Sequence, residues 1–397
     1  MKSLIKTSAG IVLSALMATA SYGAKTVVIG EMQGFTGPIE SMAGPMSLGA
    51  NLAVTEANAS GKYLPGTIEV VRGDSTCIDS AAATALAEKL INENNAIALM
   101  GPNCSGVTKA VIGAVSVPMG VLQISNAATS PTLSVEPDGG LFFRTAPSDT
   151  IQAGVLAKVA LARGITDIAV THENGDYGKG LADSFVLQYE ALGGTVSIVA
   201  AHENDKEDYS ADIAALSAAG STTLAVFGYA DTGGKGIVTA SEDTGAFTDY
   251  VFADGMMSST ISDLVADGSW GTMPAPSAEL VEAWKPVATA GGVDPLGVFT
   301  GESYDAMALI ILASQAVNSA GTSGGAAMAE QVMKIANAPG IQCHVGKLGD
   351  CLKYISGGLE VDYVGAIGVE LTAVGEQMGS YAEQEVIAGE FTVVGSH

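Results

Sequence analysis

Short apolar runs rich in β-branched residues alternate with helix-period stretches along most of this chain. That alternation limits the fold more than any other feature. Strands are expected at 26–30, 67–72, 96–100, 120–124, 166–171, 195–201, 223–227 and 250–253. Helices are expected between them at about 46–59, 79–93, 105–117, 149–162, 177–192, 210–219 and 233–243. Such a β-α order implies parallel strands joined by crossover helices, with helices on both faces of each sheet. The strands fall into two sets of four. They are separated by a break at Arg144-Thr145-Ala146-Pro147, and 267–276 reads as a second irregular crossing. Two long helices follow, about 277–289 and 302–319, and then a β-rich tail from 343 onward. A chain of 397 residues exceeds one typical core. The expected class is therefore α/β, two doubly wound lobes joined by a hinge, with ligand chemistry between them at the carboxyl ends of the strands.

Charge removes several function classes. The chain carries 17 Lys and Arg against 42 Asp and Glu, a formal net charge of −25. Binding phosphates or an anionic lipid surface needs clustered cations, so neither nucleic acid nor direct membrane docking is expected. With 15% charged and 48% apolar residues, the chain is not a disordered acidic tail. Residues 1–24 read as a signal peptide: Lys2 and Lys6, an apolar run at 9–20, then small residues. That run is shorter than the ~20 apolar residues a membrane span needs. Cleavage within 20–24 would release an exported, periplasmic protein of net charge −27, both leader lysines being lost.

The four cysteines are Cys77, Cys104, Cys343 and Cys351. An even count in an oxidising compartment favours disulfides. Three pairings are open, and proximity along the chain favours Cys77 with Cys104 and Cys343 with Cys351. A zinc site of four thiolates is the competing reading, but it lacks the usual close Cys-x-x-Cys pairs.

Catalytic signatures are weak. Neither glycine-rich phosphate cradle occurs, and His172, His202, His344 and His397 have no ligand-like i+3 or i+4 spacing. No cofactor or metal is expected. Gly321-Thr322-Ser323-Gly324-Gly325 matches G-x-S-x-G, but it follows a helix instead of a strand and reads as a loop. Binding features are clearer. Gly101–Thr108 opens a helix whose free N–H groups and dipole favour an anion, with Ser105 adding a hydroxyl; a plain N-cap is the alternative. In Ser125–Pro131, the small Ala127 and Ala128 let a ligand approach the backbone and Thr129 offers a hydroxyl. The alternative is an ordinary Asn/Ser turn. Asp254 ends the apolar run 251–253, where its carboxylate either holds an ammonium or caps the next helix. Tyr177 and Tyr229 stand at strand-to-helix junctions, where a ring and a hydroxyl either close over a small ligand or pack in the core.

Taken in order, these pieces resemble the type I periplasmic binding proteins, and among them the Leu/Ile/Val-binding branch that feeds ABC transporters. The resemblance spans nearly the whole chain after the leader. It rests on Ile29-Gly30 through Gly37-Pro38, Cys77 with Cys104, Cys104-Ser105-Gly106, Ala127-Ala128-Thr129, Arg144-Thr145, Tyr177-Gly178-Lys179-Gly180 and Gly301-Glu302-Ser303-Tyr304-Asp305-Ala306. It implies a first lobe of 25–145 plus 275–342 and a second of 146–274 plus 343–397. It also implies that Ser105, Ala127 and Thr129 hold a ligand carboxylate, that Asp254 holds its ammonium, and that Tyr177 and Tyr229 close over it. Met42 falls where the family tends to place an aromatic against the ligand side chain. The implied activity is capture of an amino acid and delivery to membrane permease subunits, without catalysis. An amide, urea-like compound or organic acid on the same fold is the second reading, and a secreted hydrolase the third.

Overall fold

The computed structural model describes residues 25–397, so the leader expected at 1–24 lies outside the described residues. The first sheet is parallel throughout. Its strands are β1 (Thr26–Gln33), β2 (Thr67–Asp74), β3 (Ala96–Met100), β4 (Leu122–Ser125) and β5 (Phe142–Arg144), in spatial order β2-β1-β3-β4-β5. Helices α1 (Glu40–Ser60), α2 (Ser80–Asn92) and α3 (Ser105–Val111) connect the first four. After α3 a π-helical turn, Ile112–Ser116, leads into the short α4 (Val117–Met119). The expected helix over 105–117 is thus one stretch with a widened middle.

The chain then leaves this sheet. Helix α5 (Asp149–Ala162) opens the second lobe, with β6 (Asp167–Glu173), α6 (Asp176–Ala191), β7 (Thr195–His202), α7 (Ser210–Ser217), β8 (Thr223–Phe227), α8 (Gly233–Thr244), β9 (Asp249–Phe252) and the short α9 (Ser259–Ser262). Half of the segment read as an irregular crossing at 267–276 is instead strand: β10 (Trp270–Pro274) pairs parallel with β9. Its Gly, Pro and Trp content hid a short buried strand.

Helices α10 (Ala278–Ala290), α11 (Thr300–Ala320) and α12 (Gly325–Ile335) return to the first lobe. The G-x-S-x-G match is the turn between α11 and α12. The tail departs from expectation. Strand β11 (Ile341–His344), α13 (Leu348–Ser356) and β12 (Val361–Gly365) belong with the first lobe, so assigning all of 343–397 to the second lobe is corrected. The reason is apolar burial: Cys343, Leu348, Leu352, Ile355 and Tyr363 share one core with Ile29 and Val54. Only β13 (Tyr381–Ile387) and β14 (Glu390–Ser396) join the second sheet, antiparallel, in order β14-β13-β10-β9-β8-β6-β7. Disulfides join Cys77 to Cys104, with an S–S distance of 2.03 Å, and Cys343 to Cys351.

Candidate functional site

The carboxyl ends of the parallel strands of the two sheets face each other. Between them Ile39, Met42, Met46, Asn103, Cys104, Ser105, Ala127, Tyr177, Tyr229, Asp254, Gly255 and Phe299 line one cavity of about 20 Å³. That is room for about one water, so the lobes are closed over the site. Met42, Met46 and Phe299 from the first lobe pack in one apolar cluster with Phe252 and Met256 from the second.

Each polar group is placed by its element. Loop 101–104, after β3, presents Ser105 at the start of α3. The Ser105 hydroxyl oxygen accepts the Ser130 N–H at 3.1 Å, which ties the α3 start to the loop after β4 and leaves the hydroxyl proton to be donated. Arg144, buried at the end of β5, braces that loop by donating to the Ala128 and Ser130 carbonyls at 3.1 and 2.9 Å. Ala127 reaches the cavity. Ala128 does not: its side chain packs with Ile112, Leu133 and Phe142, and its N–H donates to Ser125 Oγ at 3.1 Å. Thr129 is not part of the cavity lining; its hydroxyl is buried without a partner, and its carbonyl accepts the Asp149 N–H at 2.9 Å.

In the second lobe, Asp254 begins a 3₁₀ turn directly after β9. Met257 bonds to its carbonyl, so the carboxylate is not spent on capping. Tyr177 donates to Asp254 Oδ1 at 3.3 Å and accepts the Gly255 N–H at 3.1 Å. The approach is so close that a Cβ on Gly255 would lie 2.5 Å from the Gly228 carbonyl and 2.9 Å from the Tyr177 hydroxyl; only glycine fits. Tyr177 sits in the first turn of α6. That turn is held by Glu173, which accepts the Gly178 N–H at 2.8 Å. The Tyr177 and Tyr229 rings stack, 5.1 Å between centroids.

Sequence reasoning missed Asp149, which is fully buried beside Asp254 with both carboxylate oxygens unpaired. Burial and the Asp254 charge push its carboxyl well above the usual range, only partly offset by the Arg144 charge. Burial pushes Asp254 up to about 6, against the stabilising effect of its own N–H and the Tyr177 hydroxyl. Glu302, at the start of α11, is pushed up to about 8 by burial and by the Asp305 and Asp254 charges. Arg144 is committed to carbonyls, to Ser134 and to Glu376 at 2.5 Å. The site is therefore short of positive charge on its second-lobe side. In sequence, Ser148-Asp149 reads as an ordinary helix start, and Ser148 does cap α5; nothing local marks Asp149 as the buried neighbour of Asp254. Met46, Asn103 and Phe299 were missed for the same reason. Phe299 is held at φ 55°, in the left-handed region that non-glycine residues avoid.

Known proteins agree with this architecture. The family model for the receptor family ligand binding region matches residues 46–340. A leucine-, isoleucine-, valine-, threonine- and alanine-binding protein of Pseudomonas aeruginosa is 27% identical over 343 residues, 84% of this chain and 87% of the relative. The Leu/Ile/Val-binding protein of Escherichia coli K12 is 27% identical over 290 residues, 71% and 77% of the two chains. A leucine-binding protein of Thermotoga maritima superposes with a TM-score of 0.75 at 18% identity, over 93% of this chain and 98% of that one. An ABC-transporter solute-binding protein of R. palustris, solved with 4-hydroxybenzoate, gives 0.74 at 17% identity over 94% and 97%. With two parallel α/β lobes closed over one small site, this chain has the type I periplasmic binding protein fold and belongs to the receptor family ligand binding region family.

Proposed function

We propose that this protein is an extracytoplasmic solute-binding protein that captures an aliphatic amino acid between its lobes and presents the closed form to the permease subunits of an ABC transporter. The observation that carries the reading is Asp254, a buried carboxylate lining the second-lobe side of the cavity, with the fully buried Asp149 charge-coupled to it; among the described residues no Lys or Arg lines that cavity. A ligand ammonium meets that need by charge-assisted hydrogen bonds. On the first-lobe side Ser105 and the N–H groups at the start of α3 suit a carboxylate. The apolar wall of Ile39, Met42, Met46 and Phe299 suits a hydrocarbon side chain. A zwitterion touching both lobes favours the closed state through exactly those two sets of contacts, which is the condition for ligand-driven closure. Nothing in this scheme makes or breaks a covalent bond.

The relatives bound to benzoates favour a second reading, an organic acid without an amine. Such a ligand would leave Asp149 and Asp254 uncompensated in a dry site. A thermal-shift panel of amino acids, amides and aromatic acids separates the two readings. Stabilisation by amino acids alone supports the first, and stabilisation by aromatic acids alone overturns it. In calorimetry Asp254→Asn is expected to weaken the best amino acid at least tenfold, about 1.4 kcal/mol; unchanged affinity removes Asp254 from the site.

A further inference from the structure

Helix α1, 21 residues long, begins without a cap of its own: its N-cap residue is Ile39, and no side chain of the first lobe takes that role. A helix start leaves N–H groups without intrahelical acceptors. Here Glu40, Met42 and Ala43 reach the Gly37 and Ile39 carbonyls of their own lobe, and the Ser41 N–H takes its acceptor from the other lobe. The Ser41 N–H donates to Asp231 Oδ2 at 2.8 Å, and the Asp231 N–H donates in return to the Pro38 carbonyl at 3.0 Å. Thr260, also of the second lobe, donates to Asp231 Oδ1 at 3.4 Å and steadies the carboxylate. Beside this clasp the Ser41 and Ser258 hydroxyl oxygens lie 3.3 Å apart. Asp231 does not line the ligand cavity. A carboxylate at a helix N-terminus satisfies orphan donors and meets the positive end of the macrodipole.

We propose that Asp231 is a positioning residue for closure: it caps α1 across the cleft, so that α1 is capped only when the lobes meet. The contact sets how often the protein closes, whatever the ligand. Opening breaks both hydrogen bonds and returns the α1 start to solvent. Because apparent affinity scales with the population of the binding-competent state, the cap raises affinity for every ligand by one factor and leaves selectivity alone. The inference rests on the two-lobe capture reading, and its test is built to run without ligand.

In a Ser41→Cys/Ser258→Cys background with both native disulfides intact, the new pair can join only in the closed state. Its oxidation rate therefore reports closure even when the closed state is minor. Asp231→Ala is expected to slow that rate about fivefold, about 1 kcal/mol at 1.4 kcal/mol per tenfold. Asp231→Asn is expected to stay within about twofold, because an amide oxygen also caps. Unfolding midpoints of all variants establish that the lobes remain folded. An unchanged rate in Asp231→Ala, or equal slowing by the Asn and Ala variants, overturns the proposal. If no amino acid binds the wild-type protein, the ligand reading fails while the oxidation rates still decide this one.

Discussion

Two adjacent acids do most to define this protein at the scale of single residues. Asp254 was legible in the sequence, because an acid ending an apolar strand is conspicuous. Asp149 was not, because an acid in the first helical turn has an adequate local explanation. Burial beside each other makes both harder to ionise, so the ligand-free protein keeps protons there to higher pH than free carboxyls would. An incoming ammonium must displace them. Amino-acid affinity is therefore expected to rise from pH 5 to pH 8, most steeply around the Asp254 value of about 6. Calorimetry in buffers of different ionisation enthalpy should show proton release on binding at pH 6. Asp149→Asn should cost at least tenfold in affinity and yet raise the unfolding temperature of the ligand-free protein, since an isosteric amide removes a buried charge at little steric cost. A lower unfolding temperature together with unchanged affinity would return Asp149 to a purely structural role.

At the scale of elements, the strand and helix pattern read from the sequence predicts most of the first 260 residues. Parallel strands buried on both faces must be continuous apolar runs, and such runs are visible without a fold. The reading weakened where composition misled. Strand β10 is only five residues and contains Gly and Pro. The β-rich tail contains α13, whose attachment depends on partners distant in the chain. One such attachment is testable. Asp305 in α11 accepts the Ala366 and Ile367 N–H groups, each at 2.9 Å, and the Tyr363 hydroxyl at 2.7 Å. It thereby fixes the turn after β12. Gly365 sits at φ +60°, where a Cβ would collide with the Asp305 carboxylate at Oδ1. Asp305→Ala leaves buried N–H groups unpaired and is expected to cost about 2–4 kcal/mol in denaturant unfolding. Gly365→Ala should be destabilising for a different reason, collision together with backbone strain, and Asp305→Ser should not rescue it fully because the strain remains.

For the whole molecule, pH acts on stability through buried acids on both sides of the cleft. A carboxyl whose folded value lies above its unfolded value favours folding at low pH. That contribution is complete below about 4 and is lost as pH rises through the folded values, about 6 for Asp254, about 7 for Asp305 and about 8 for Glu302. The ligand-free unfolding midpoint should therefore fall between pH 5 and pH 8, and Asp254→Asn should flatten the lower part of that fall. The Cys77–Cys104 bond acts differently, by closing a loop of 27 residues that ties the segment after β2 to the cavity-lining segment after β3. Loop-closure entropy puts its worth at about 3.5 kcal/mol, so reduction should lower the denaturation midpoint in proportion.

The sequence by itself determined the class of fold, since a repeated β-α order leaves few ways to bury continuous apolar strands. It also determined which short segments end those strands, and named six of the twelve residues that line the cavity, Met42, Ser105, Ala127, Tyr177, Tyr229 and Asp254. Tertiary structure alone decided that 341–365 returns to the first lobe, that Ala128 turns away from the cavity while Asp149 is buried beside Asp254, and that α1 is capped from the opposite lobe. The physical reason is common to all three. Local sequence sets backbone preference and periodicity, whereas the partner of a buried charge, an orphan N–H or an apolar face is chosen among groups that meet only after the chain has folded.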